Sequence, residues 1–174
     1  NLTSWDADPN NAMQNPGLMN KEMHGQFGVN YVSHIADIKN ASFSGVYRIS
    51  EFDYVSLHGQ MVDYGDLVGT NEIGTVVGDF TAKDAAITIG YAREIADYWT
   101  VGANLKYINS TIEMYKSSAI AADLGVSYHN FDDRVKIGLA FRNIGKQIET
   151  YNGLKEDLPF QVNFGIAHEL EYVP

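Results

Sequence analysis

The chain has 174 residues and no cysteine, four prolines, and twelve lysines and arginines against twenty-two aspartates and glutamates. Without cysteine there is neither a disulfide framework nor a thiolate metal site. The formal net charge is −10 and the basic residues are scattered, so the electrostatic footprint of a DNA or RNA binder is missing and nucleic acid is excluded as a partner. No uninterrupted apolar run approaches the roughly 18 residues of a membrane-spanning helix, and the opening "NLTSWDADPN" lacks the basic and apolar pattern of a signal peptide.

Recognisable catalytic constellations are also lacking. His24, His34, His58, His129 and His168 are dispersed, with no HExxH or comparable ligand spacing, and no GxSxG occurs. "GTNEIG" and "GTVVG" are rich in glycine but match no phosphate-loop spacing, and read as a flexible exposed loop. The expectation is a protein that is not an enzyme, with no catalytic, cofactor-binding or metal residue.

What is abundant is glycine, tyrosine and phenylalanine, at sixteen, eleven and eight residues, a composition that suits aromatic-rich strands. From Gln26 the apolar pattern has period two: Phe27, Val29 and Tyr31 alternate with Gln26, Gly28 and Asn30. The same alternation predicts strands over 26–35, 38–49, 52–63, 84–93, 99–112, 118–129, 134–143 and 159–170. Each is near the nine to eleven residues a tilted strand needs to cross a bilayer. Residues 1–25, with Pro9, Pro16 and several asparagines, read as a turn-rich hatch segment preceding a β-domain over 26–174.

Period two alone suits a soluble β-sandwich or small barrel equally well. Two features favour an antiparallel up-and-down transmembrane β-barrel. The faces opposite the apolar ones are small and polar, with isolated charges, and Trp99, Tyr107, Tyr128 and Tyr151 fall near presumed strand ends, where an interfacial girdle would lie. Connections also alternate in length. "EIADY" and "NFDD" are short, whereas 64–83, "EMYKSS" and 144–158 are longer, as expected of periplasmic turns and external loops. By parity Gln26 starts on the periplasmic side.

Several stretches then resemble a known family. "DPNNAMQNPGLMNKEMHGQFGVNY" is similar to the start of the barrel in the PorV/PorQ group of FadL-like outer-membrane proteins, with Asn15, Pro16 and Gly17 forming the hatch turn and Gly17 standing where alanine is usual. "GDFTAKDAAITIGYAREIADYWTVGANLKYI", "YKSSAIAADLGVSYHN", "LAFRNIGKQIETY" and "LPFQVNFGIAHELEYVP" follow in the family's order, closest to its PorQ-like branch. The resemblance implies an integral barrel of the fourteen-stranded type in the bacterial outer membrane. It also implies a non-enzymatic accessory or anchor role in the cell-surface attachment complex of the type IX secretion system. Partners would be outer-membrane lipid and lipopolysaccharide, a PorZ-like surface protein, a PorV-like shuttle and a sortase-like subunit. Against that pattern the sequence, ending in "YVP", is expected to be part of a larger barrel. A FadL-like channel for a hydrophobic ligand is the alternative, with Met13, Leu18 and Met19 as hatch-side apolar contacts; a soluble β-sandwich binding domain is the other.

One residue interrupts an apolar strand. In "IAADLGVSYH", alternation puts Asp123 on the lumen side with Ala121, Gly125 and Ser127, while Lys106, Lys136 and Arg142 occupy the same side of neighbouring strands. The expectation is a structural ion pair between Asp123 and Lys106 or another of these bases, fixing register more than adding stability.

Overall fold

The computed structural model describes the chain apart from residues 1, 4–5, 35–36, 72, 133, 152, 154 and 170–174. The alternating segments form eight strands: β1 (Gln26–Ser33), β2 (Lys39–Arg48), β3 (Asp53–Thr70), β4 (Val76–Ala96), β5 (Trp99–Ile112), β6 (Tyr115–His129), β7 (Val135–Glu149) and β8 (Gln161–His168). They lie in one antiparallel sheet in sequence order, each paired with its chain neighbours. The all-β, up-and-down architecture expected from the sequence is therefore present, and among the described residues there is one sheet rather than the two packed sheets of a sandwich. The predicted ends of the first strand, at Ile35, and of the last, at Leu170, lie outside the described residues, as does "YVP". Among the described residues no helix is long and apolar enough to cross a membrane.

The two faces of the sheet differ in kind. The N-terminal segment lies against the inner face, and the outer face carries large apolar side chains that are exposed. Phe27 is 81% exposed and Val29 80%, and Leu57, Ile89, Leu105 and Phe164 are also exposed. Register aligns them across strands: Leu57 faces Ile89, and Ile89 faces Leu105. Where an outer position is glycine, a neighbouring ring fills it. A Cβ on Gly59 would lie 2.2 Å from the Phe43 ring, and one on Gly45 3.3 Å from that of Phe27.

Charge bounds this apolar surface at two heights on β3 and β4. At the foot, Arg93 lies 3.6 Å from Asp53; at the top, Lys83 lies 2.8 Å from Asp63. Between them the outer positions are Val55, Leu57, Gly59 and Met61 on β3, and Ala85, Ile87, Ile89 and Tyr91 on β4. Ten residues at about 3.3 Å each, tilted by about 40°, span about 25 Å, the height of a membrane-barrel apolar band. Both boundary carboxyls are held below the usual carboxylate range. The Ser50 hydroxyl and then the Tyr91 hydroxyl do this for Asp53, and the Lys83 ammonium and then the Gly65 amide for Asp63.

Above that upper pair the structure corrects the sequence reading. The presumed loop 64–83 is mostly strand, because β3 continues to Thr70 and β4 begins at Val76. A bulge at Tyr64 and Gly65, with Gly65 at φ 72°, resets the register without ending the pairing. The tip is closed by Asn71, whose side chain accepts from the amides of Ile73 and Thr75 at 3.1 and 2.9 Å. Likewise the connection read in "EMYKSS" reduces to Glu113 and Met114, and β7 runs on to Glu149 through much of the presumed loop 144–158. Apolar alternation ends where a strand leaves an apolar environment, but backbone pairing does not require it, so strands outlast their hydrophobic signal.

The aromatic reading needs correction too. Trp99 and Tyr128 are cross-strand partners at the foot of β5 and β6, with ring centroids 4.9 Å apart. Tyr107 lies mid-strand on the outer face between Ile87 and Ile120. Tyr151 turns to the inner side and donates to Ser110. Neither sits at a strand-end girdle.

Candidate functional site

The N-terminal segment is shaped by asparagines. A short helix, α1 (Asn10–Gln14), ends at Asn15, whose extended backbone cannot continue it. The Asn15 side chain accepts from the Gly17 amide at 2.9 Å and opens a 3-10 turn, Pro16–Leu18, in which proline occupies a position needing no amide. Asn20 repeats the device by accepting from the Glu22 amide at 2.9 Å, opening a second turn, Lys21–Met23. Gly25, at φ 71°, then turns the chain into β1, its amide bonding Val46 O at 3.0 Å.

This segment rests on a row of missing side chains. Gly102 and Gly125 are direct partners on β5 and β6, as are Gly138 and Gly165 on β7 and β8. A Cβ on Gly102 would lie 2.6 Å from the Pro16 carbonyl, and one on Gly125 2.0 Å from Asn15 Oδ1. One on Gly138 would lie 1.9 Å from Leu2 O. The sheet surrenders side-chain burial here so that backbone can meet backbone. Three polar links lock the contact, the first two of them buried: Ser127 Oγ donates to Gly17 O at 2.6 Å, Asn104 Nδ2 to Ala12 O at 3.1 Å, and Asn15 Nδ2 to Val126 O at 3.3 Å. Glycine at position 17 is part of the fit, since a Cβ there would lie 2.9 Å from the backbone of Gly125 and Val126.

Asp123 is fully buried on the inner face, and Lys106 Nζ lies 2.8 Å from its Oδ1. The pair is diagonal, since Asp123 faces Asn104 across the β5–β6 ladder and Lys106 faces Ala121. On its other side the aspartate occupies a bulge. Ala122 pairs with Ile144 and Leu124 with Phe141, so Asp123 alone faces both Arg142 and Asn143. Asn143, at φ 59°, turns its amide out of the ladder, and Asp123 Oδ1 accepts from that amide at 2.8 Å. Asn143 Oδ1 accepts from Lys106 Nζ, also at 2.8 Å. One carboxylate therefore holds an ammonium and an irregular backbone in place together.

The other bases named with Asp123 are placed differently. Lys136 faces His129, six residues along β6 from Asp123, about 20 Å away at strand spacing. Arg142 stands beside the aspartate but gives its Nη1 to Gln14 Oε1 at 2.9 Å. Alternation puts these residues on one face but cannot rank their distances. Of the hatch-side apolar residues, Leu18 and Met19 are buried, with Met19 packed among Ala12, Met23, Val46, Tyr54 and Ala92. Met13 borders a cavity lined by polar and apolar residues alike.

The sequence reading missed His58 and the glycine seat. His58 is fully buried on the inner face, in a cross-strand row running Ser44, His58, Thr88, Lys106. With Arg142 and Gln60, the last three residues of this row wall a cavity of about 300 Å³, with Met13 and Gln14 of the N-terminal segment also lining it. A histidine on the polar parity of an otherwise alternating strand was the available signal. Among the described residues no group of three histidines, aspartates or glutamates is placed to hold a metal ion. No protein-family model matches the chain, and no curated protein matches it.

Proposed function

We propose that the chain is part of an outer-membrane β-barrel whose hatch segment occupies its lumen, acting as a non-enzymatic anchor on the cell surface. The single observation carrying this reading is the apolar outer face, bounded above and below by the Asp63–Lys83 and Asp53–Arg93 pairs about 25 Å apart. A soluble fold would leave that much contiguous apolar surface in water. The resemblance to the PorV/PorQ group adds the finer assignment: an accessory component of the type IX secretion system, near lipopolysaccharide, working with PorZ-like, PorV-like and sortase-like proteins. The β3–β4 hairpin above the upper ion pair is the natural docking element, because its strands continue as paired backbone beyond the apolar band. A channel for a hydrophobic ligand has less support, since Leu18 and Met19 are committed to packing the hatch.

The test has two steps. The membrane-inserted protein resists carbonate and needs detergent for release, and extraction by carbonate alone would end the barrel reading. A variant with 66–81 replaced by a tight turn then assembles normally but no longer co-purifies with its surface partner. Undiminished co-purification would remove the hairpin from the docking role.

A further inference from the structure

We infer that the cavity above the hatch is a binding site for a small oxyanion, the carboxylate or phosphate group of a solute. The inference begins with donors that lack partners. Lys106 contributes two of its ammonium hydrogens to Asp123 and Asn143, leaving a third. Arg142 uses Nη1 on the neutral amide of Gln14, while its buried Nε has no hydrogen-bond partner. His58 is fully buried, and neither of its ring nitrogens has a partner. The Thr88 hydroxyl lies between His58 and Lys106 in the same row.

Charge gives the same answer. Lys106 is paired with Asp123, whereas no carboxylate among the described residues pairs with Arg142, leaving its positive charge uncompensated in a partly buried place, where that is costly. Among the described residues no acidic side chain lines the cavity. Asp84, higher on the inner face of β4, is already held by the Tyr64 hydroxyl at 2.7 Å and by Ser110. Water would satisfy donors but would not balance the charge; a monoanion does both. Buried polar groups in folded proteins overwhelmingly have partners, and here His58 and Arg142, whose buried nitrogens include ones without a partner, line the same cavity. A volume of about 300 Å³ admits a phosphate or short carboxylate with a few waters but little more.

The site is built by the strands and hatch of this chain alone, so it stands or falls independently of the secretion-system reading. The test uses the full-length protein folded in detergent, with thermal unfolding followed by circular dichroism. Sodium phosphate and, separately, sodium acetate are titrated against sodium chloride at matched ionic strength. The expected result is a saturable rise in Tm with at least one oxyanion and none with chloride. His58→Leu and Arg142→Gln each weaken the apparent affinity by about tenfold, the worth of a charge-assisted hydrogen bond. Lys83→Gln, outside the lumen, leaves it unchanged. The inference is overturned by a shift that never saturates, by one that survives both cavity variants, or by equal loss in Lys83→Gln.

Discussion

Along β5 and β6 the inner face changes character within a few residues. At Gly102 and Gly125 it has no side chains and lies against the backbone of Asn15, Pro16 and Gly17. At Lys106 and Asp123 it carries two opposite charges beside a cavity. The same strands thus build a dry seat at one height and a polar chamber at the next. The lower part is specified by shape, where one added carbon is a clash. The upper part is specified by charge, where shape is loose and an unpaired group is the penalty. Damage to the two should therefore look different.

The largest effect is expected in the upper part. Asp123→Ala leaves Lys106 buried without its counter-charge and the Asn143 amide without an acceptor, costing about 3–5 kcal/mol. Equilibrium unfolding in detergent measures this. The hatch should stay seated, since none of its backbone contacts involves Asp123, and limited proteolysis around Pro9 should match the native protein. Gly125→Val reverses the pattern. Its side chain would occupy the position of Asn15 Oδ1, so the hatch turn lifts at a cost of about 1–3 kcal/mol. Proteolysis in the N-terminal segment should accelerate while the Lys106–Asp123 pair persists. If both variants expose the hatch equally, the two heights are one cooperative unit and the contrast is wrong.

How much of this the sequence discloses depends on whether a feature follows from alternation. Period two places Asp123 with Ala121 and Ser127 and opposite Leu124, and those three are buried while Leu124 is exposed. It locates β5 at Trp99–Ile112, where Val101, Ala103, Leu105 and Tyr107 alternate with Gly102, Asn104 and Lys106. It says nothing of how far strands run past the apolar band, which is why the expected strands 52–63 and 84–93 fall short of β3 and β4. Nor does it disclose the bulge that puts both Arg142 and Asn143 opposite Asp123, because a bulge is a mismatch between two strands and each alone looks regular. The glycine seat was illegible for a related reason. Gly102, Gly125 and Gly138 read as weak strand positions until the NPG turn is set against them. Only the register shows that Gly102 and Gly125 are adjacent.

His58 gives the smallest expected effect and the sharpest division between the two parts. A histidine with no hydrogen-bond partner contributes only its packing, and burying its polar ring is a cost that an apolar side chain avoids. His58→Leu should leave stability within about 1 kcal/mol of the original, on the favourable side if anything, as measured by equilibrium unfolding without added oxyanion. A substitution that removes a fully buried side chain at almost no cost means that the residue is not there to hold the fold. Should His58→Leu instead unfold the protein as readily as Asp123→Ala, the imidazole would be a structural member of the polar chamber. The row from Ser44 to Lys106 would then belong with the glycine seat as scaffold.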